Sequence, residues 1–362
     1  MKRVWSIRPY KEGDEEGILE LWKAVYPAES YDQERWTRWW HWMYKENPAA
    51  QGKIWLWLAE DDGKIVGHSA IIPIVMKIGS ETVTGFQSID TMTHPSYRHQ
   101  GIYETLAKKA YAEAAMEGVH IGYRFPNKNS HPIAIKKLNW LDVATKQIVF
   151  KPYHWRNTIR LRVKNKFLAE VLAIGANLVF NKMLVRTQRA SIVEGLTITR
   201  ISSFDKRIDG LWNRISDQYP IVVIRNKDYL NWRYCAVPNI DYSICVAEKA
   251  KEICGYLVLR CLLMEQTKVG LIFDILAESE QIAQCLISKA VEQCEQDGVD
   301  VIYCSLITNK MYLKALKRNG FISSPFVKGY WLCAYSSSHY ISKEFLKDPQ
   351  NWYIQVGDSD AI

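Results

Sequence analysis

The chain has 362 residues, 48% apolar and 24% charged, which is the composition of an ordinary soluble globular protein and is long enough for two domains with cores of their own. No run approaches the ~18 consecutive apolar residues a transmembrane helix needs, and the basic N-terminus (Met1 to Arg8) lacks the apolar core of a signal peptide. The net charge of +8 lies wholly between Lys151 and Arg189, where nine basic residues face one acid, so a protein-wide nucleic-acid surface is excluded in favour of one local basic segment.

In chain order, the pattern predicts a helix over 14–25, then a helix over 34–44 whose Trp36, Trp39, Trp40, Trp42 and Tyr44 either pack it onto a sheet, the reading the repeated Trp-x-Tyr favours, or stack against a sugar or aromatic acceptor. Strands over 54–60 and 65–77 follow, joined by a tight turn at Asp61-Asp62-Gly63. A third strand, 82–93, runs into His94-Pro-Ser-Tyr-Arg98-His99-Gln100-Gly101-Ile102-Tyr103-Glu104, and a helix continues from there to about Glu117. A turn of this kind between a strand and a helix N-terminus gathers several backbone N–H groups at the positive end of the helix dipole, which suits a phosphate or pyrophosphate. A strand over 120–125, a polar loop over 127–130 and a helix over 132–138 complete the unit.

The second half repeats the first. Trp42-x-Tyr44 recurs as Trp232-x-Tyr234, Gly67-His68 as Gly255-Tyr256, Asp90 as Asp274, Asn129 as Asn309, and Leu138-Asn-Trp140 as Asn319-Gly-Phe321, with offsets drifting from 190 to about 180 residues in preserved order. That is the pattern of a duplicated domain. The phosphate-type turn does not recur, because Leu276-Ala-Glu278-Ser-Glu280 has no Gly and carries two acids that repel a pyrophosphate. The eight cysteines all follow residue 234 without Cys-x-x-Cys spacing and read as reduced core thiols of a cytoplasmic protein. His41, His68, His131 and His154 show no ligand spacing, so no metal site is expected.

The 94–106 segment resembles the acyl-CoA loop of the GNAT (Gcn5-related N-acetyltransferase) superfamily, with Arg98 and Gly101 matching its Arg/Gln-x-x-Gly-x-Gly/Ala pattern and Tyr103 standing where Gly or Ala is usual. Leu-Lys-Arg-Asn-Gly-Phe in the second half is similar to another family signature. The resemblance implies an α/β (α+β) protein of two GNAT-like domains, each a mixed, mostly antiparallel twisted sheet flanked by helices. These are an N-terminal domain over 1–150, a basic linker over 151–194 with an apolar helix, a C-terminal domain without the CoA loop over 195–340, and a tail over 341–362. It further implies that Thr91, Met92 and Thr93 pair with pantetheine, that Arg98, His99, Gln100, Gly101, Ile102 and Tyr103 wrap the pyrophosphate, and that Asn129 faces the cofactor.

The activity implied is transfer of acetyl from acetyl-CoA to a primary amine of a small molecule, amino sugar or peptide. The rival readings are a non-catalytic CoA-binding or scaffold protein, and a tandem transferase using another acyl donor such as aminoacyl-tRNA. Asp90 is the candidate base, since a carboxylate among core-facing neighbours needs a reason, and His94 and Glu104 are weaker candidates. The tyrosine that protonates the departing thiolate in many relatives is replaced by Ile135, which leaves Tyr103 or Tyr123 as substitutes, or else water or direct loss of the thiol. In the linker, the apolar run 167–180 between basic residues has three readings open to it: packing between domains, contact with a partner, or contact with an anionic membrane surface through 156–189. No nucleic-acid partner is expected, and the oligomeric state is not legible.

Overall fold

The computed structural model describes residues 5–27, 32–161, 163, 172, 193–306, 309–338 and 340–360. All but Leu172 of the apolar run of the linker, and most of its basic residues, lie outside them. The first half holds β1 (Ser6–Pro9), α1 (Glu15–Val25), α2 (Gln33–Tyr44), β2 (Leu56–Asp61), β3 (Lys64–Ile78), β4 (Glu81–Thr93), α3 (Ile102–Met116), β5 (Ile121–Arg124), α4 (His131–Lys137) and β6 (Leu141–Pro152). After α5 (Trp155–Arg160) come β7 (Leu196–Ile201), α6 (Arg207–Ile215), β8 (Ile221–Val223), α7 (Lys227–Leu230), β9 (Ser243–Lys249), β10 (Glu252–Met264), β11 (Thr267–Ala277), α8 (Glu280–Gln296), β12 (Val301–Leu306), α9 (Lys310–Arg318), β13 (Ile322–Ser336), α10 (Lys343–Lys347) and β14 (Trp352–Tyr353).

Local chemistry accounts for the boundaries that matter. Asp32 caps α2 by accepting from the Glu34 and Arg35 N–H groups. The β2–β3 turn puts Asp62 at φ +47° and Gly63 at φ +76°, the double left-handed conformation that matches the twist of a two-residue hairpin.

The strand order of the first half, β1-β2-β3-β4-β5, is repeated by β7-β9-β10-β11-β12, and the strands pair antiparallel within each run except for β4–β5 and β11–β12. The predicted mixed, mostly antiparallel sheets are therefore present, but they are not separate. The last strand of each half is exchanged: β13 lies beside β5, and β6 lies beside β12, with β13 and β6 paired to each other. A single continuous run of twelve strands results, and β8, paired to β3, with β14, paired to β8, brings the sheet to fourteen among the described residues.

On the helical side of the junction, Trp42 and Trp232 stack with centroids 5.1 Å apart at 19°. Each indole N–H donates to the other's backbone carbonyl, at 2.8 and 2.9 Å. The C-terminal segment is threaded into this junction. Arg225, fully buried, pairs with Asp358 at 2.6 Å, while Arg233 donates to the carbonyls of Gly357 (2.6 Å) and Ser359 (2.5 Å).

Truncating either indole empties a close-packed space and orphans a carbonyl. Trp42→Ala and Trp232→Ala are each expected to cost roughly 3–5 kcal/mol in urea unfolding, and the double variant distinctly less than the sum, because both remove one shared contact. Additive losses would show that the two rings stabilise the halves independently.

Candidate functional site

The site is built where β4 leaves β5. The two strands pair only at Phe86–Gly122 and Gln87–Tyr123, after which they part, so from Ser88 onward the β5-side edge of β4 has no strand partner among the described residues. The opposite edge of β4 stays on β3, with one irregularity: His68 faces Met92 and Ala70 faces Ile89, so Asp90 and Thr91 together oppose Ser69. This is a β-bulge, and Asp90 takes φ +45°, a left-handed conformation that is uncommon for residues other than glycine.

The bulge turns Asp90 toward α2. Tyr44 Oη donates to Asp90 Oδ2 at 2.6 Å, and His68 Nδ1 donates to the Asp90 carbonyl at 2.6 Å. Burial raises the Asp90 carboxyl to about 7, against the Tyr44 hydrogen bond that favours its anion, and the Asp360 carboxylate adds to the rise. Burial likewise lowers His68 to about 4, so its ring is neutral at physiological pH and its Nε2, buried without a partner, is an acceptor. Thr91 Oγ1 and Ser69 Oγ beside the bulge are also buried without partners. Sequence reading found Asp90 but assigned Tyr44 to packing and considered His68 only as a metal ligand.

At the far end of β4, Tyr97 Oη donates to Asp61 Oδ2 at 2.6 Å and anchors the turn to the β2–β3 hairpin. His94 Nδ1 accepts from the Ser96 N–H at 3.3 Å, which places its side chain in the turn itself. Arg98, His99, Gln100 and Gly101 are exposed, with His99 at φ +64° and Gly101 at φ +81°. The first helical bond of α3 runs from Thr105 N to Gly101 O, so the N–H groups of Ile102, Tyr103 and Glu104 precede it and point out of the helix end. Glu104 is held by Lys108 (2.7 Å) and Lys137 (3.0 Å), and those hydrogen bonds keep its carboxyl below the ordinary range. The helix end reaches the sheet because Gly67 has no side chain: a Cβ there would lie 2.4 Å from Ile102 Cγ2. The geometry is that of an anion cradle beside an open strand edge.

Other predicted residues fall as follows. Met92 is buried on the α2 side and Thr93 closes β4. Asn129 is exposed in the 127–130 turn, where its N–H donates to Asn127 Oδ1. Tyr123 is 1% exposed and its hydroxyl donates to the Asp358 carbonyl at 2.9 Å, so its proton is committed to the C-terminal segment. Tyr103 is half-buried and accepts from Arg124 Nη1 at 2.5 Å, with burial raising it to about 12. Arg124 escaped sequence analysis altogether. A further grouping was invisible in the sequence because an exchanged strand makes it: His131 Nε2, Asp142 and Cys333 bring three potential ligand atoms within 4.8 Å of one another.

In the second half the equivalent positions form a closed copy. Tyr234 and Tyr256 both donate to Asp274 Oδ2 at 3.0 Å, and Arg225 lies 3.4 Å from the same oxygen, all fully or nearly fully buried. Its helix N-terminus is filled from within: Ser279 caps α8 through the Ile282 N–H, Glu278 pairs with Arg214 at 2.6 Å, and Glu280 pairs with Arg318. No anion cradle forms there. Among the described residues, no helix is long and apolar enough to cross a membrane.

Residues 6–140 match the family model described as an acetyltransferase (GNAT) domain. No curated protein matches the chain in sequence. Solved structures similar in fold include a GCN5-related N-acetyltransferase from Anabaena variabilis (TM-score 0.63, 11% identity, 91% of this chain and 72% of that one). A probable N-acyltransferase of unknown function from Enterococcus faecalis follows (0.64, 12%, 91% and 71%), as does N-myristoyltransferase of Saccharomyces cerevisiae with bound myristoyl-CoA (0.58, 12%, 92% and 80%). The anion cradle and the bulge thus lie inside the region that matches an acetyltransferase (GNAT) domain, and nine-tenths of the chain is similar in fold to these N-acyltransferase structures.

Proposed function

We propose that the protein transfers an acyl group from acyl-CoA, acetyl-CoA being the simplest donor, to a primary amine of a small molecule, amino sugar or peptide, and that only the N-terminal domain does so. The observation that carries this reading is a carboxyl of raised pKa on a bulge, flanked by an unpaired strand edge that leads to an anion cradle. In this reading the cradle of 98–103 takes the diphosphate, the free edge at 91–93 takes pantetheine, and the acceptor approaches from the α2 side.

The chemistry then needs few groups. The amine nitrogen attacks the thioester carbon while Asp90 accepts its proton, and the C–S bond breaks to release the thiolate. A carboxyl at about 7 is less basic than a thiolate, whose conjugate acid lies near ~8.5, so Asp90 can pass the same proton on to sulfur. That relay requires neither Tyr123, whose proton is engaged, nor a tyrosine at Ile135. Tyr44 and neutral His68 fix the carboxyl and the bulge that carries it.

The direct test is thiol release from acetyl-CoA and longer acyl-CoA donors against pooled amines, with Asp90→Asn as control. Turnover is expected to fall roughly 10²- to 10⁴-fold in that variant with CoA affinity unchanged. Equal loss of binding and turnover would make Asp90 structural instead.

Calorimetry should give one CoA per chain, and Gly101→Val should abolish it. At φ +81° a β-branched residue is strained, and its side chain would enter the open space over the cradle, where a Cβ meets no protein atom. Two equivalent sites would contradict the closed second copy.

The pH dependence follows from the raised carboxyl. kcat/KM should rise with pH through about 7 as Asp90 ionises, and Tyr44→Phe should move that inflection upward, since the lost hydrogen bond favoured the anion. The folded state binds the extra proton between the ordinary carboxylate range and about 7, so stability should fall as pH rises across that window. Asp90→Asn should abolish this fall, gaining Tm over the wild type at pH 8 but not at pH 4. A flat difference in Tm across pH would remove the raised carboxyl from the account.

A further inference from the structure

Arg124 is the first residue of β5 beyond its last pairing with β4, and it is 5% exposed. Its guanidinium is wedged between two rings, 5.7 Å from the Tyr103 centroid and 5.5 Å from that of Trp140. One nitrogen, Nη1, donates to Tyr103 Oη; Nε is buried without a partner. No carboxylate among the described residues pairs with it. Asp142, on the adjoining exchanged strand system, is already engaged by His131 at 2.6 Å and by Cys333 Sγ at 3.4 Å.

A buried guanidinium without a counter-ion is an expensive arrangement, because desolvation is not offset by an opposite charge. The contrast within this chain is direct: Arg225, equally buried, has two carboxylates. Aromatic faces and one phenol oxygen recover only part of the cost. The position supplies the reason. Tyr103 is the second residue of α3, its N–H belongs to the anion cradle, and its hydroxyl touches Arg124, so the cation sits one side chain behind the cradle, on the strand that parts from β4.

Resting on the acyl-CoA reading above, we propose that Arg124 is the buried counter-charge for the donor's diphosphate. It thus completes from β5 an anion site whose exposed part is the 98–103 turn. Tyr103 positions it. This accounts for an aromatic where Gly or Ala is usual: the ring carries the arginine that a smaller residue would leave unsupported.

The experiment is binding of CoA, dephospho-CoA and pantetheine to the full chain and to Arg124→Met, Arg124→Lys and Tyr103→Phe. Methionine keeps the packing between the rings and removes the charge, so the free variant should melt no lower than wild type. CoA and dephospho-CoA should bind Arg124→Met 10- to 100-fold more weakly, while pantetheine at millimolar concentration binds both proteins alike. Arg124→Lys should fall between, and Tyr103→Phe, which keeps the charge, should lose less than about threefold. Unchanged CoA affinity in Arg124→Met overturns the proposal, as does an equal loss of pantetheine, which would place Arg124 on the neutral arm. A Tyr103→Phe loss as large as that of Arg124→Met would make the pair structural. Failure of the wild type to bind CoA at all would instead sink the donor reading from which this one starts.

Discussion

The reciprocal Trp42–Trp232 contact is the constraint from which the rest of the molecule follows. Each indole N–H is satisfied by the other residue's carbonyl, so neither half can slide or rotate without orphaning two buried groups at once. It is an internal version of the self-complementary contact that relates two identical subunits. Two residues further along each segment, Tyr44 and Tyr234 reach Asp90 and Asp274. The contact that seals the halves therefore also aims the two phenols at the two carboxyls.

From that symmetric frame the halves diverge by what fills the space beside each carboxyl. In the second half Tyr256 stands where the first has His68, and Arg225 holds both Asp274 and Asp358 in a network without solvent access. Burial raises Asp274, and the arginine opposes the rise by favouring the anion, so its charge is spent on the interior. Asp90 has no cation beside it in the described structure; only phenol, imidazole and the approach of Asp360 act on it. A carboxyl left without a cation beside an open gap is available to a proton from outside. One clamped by an arginine under a threaded segment is not.

Much of this was legible in the sequence because it is local. The hairpin turn at Asp62-Gly63, the turn into α3 and the repeated Trp-x-Tyr all depend on residues close together in the chain, and their types dictate their conformations. The strand exchange was not legible, since periodicity states that 141–152 and 322–336 are strands but not which neighbour they choose. The convergence of Tyr44, His68 and Asp90 was present as three repeat pairs with similar offsets, yet an aromatic on an apolar helix face and a histidine without ligand spacing each have a blander local explanation. Arg124 gave no signal, because its meaning lies in a missing partner, and absence of a counter-ion is a property of three-dimensional surroundings.

The position of Asp90 also shows why bulge and base belong to one residue. A regular β4 would alternate strictly between the α2 and α3 faces, and the pairing with β3 would run on unbroken through Asp90. The extra residue breaks that alternation, sends the carboxyl to Tyr44, and leaves the left-handed backbone strained by an amount of order 1 kcal/mol. Such strain persists only where the surroundings over-determine it. Here they do so three times: His68 grips the carbonyl, Tyr44 grips the carboxyl, and the tryptophan pair holds the helix that carries Tyr44. Relaxing the bulge would break both grips on Asp90 at once, so the strained conformation is the one that keeps its carboxyl and its carbonyl hydrogen-bonded.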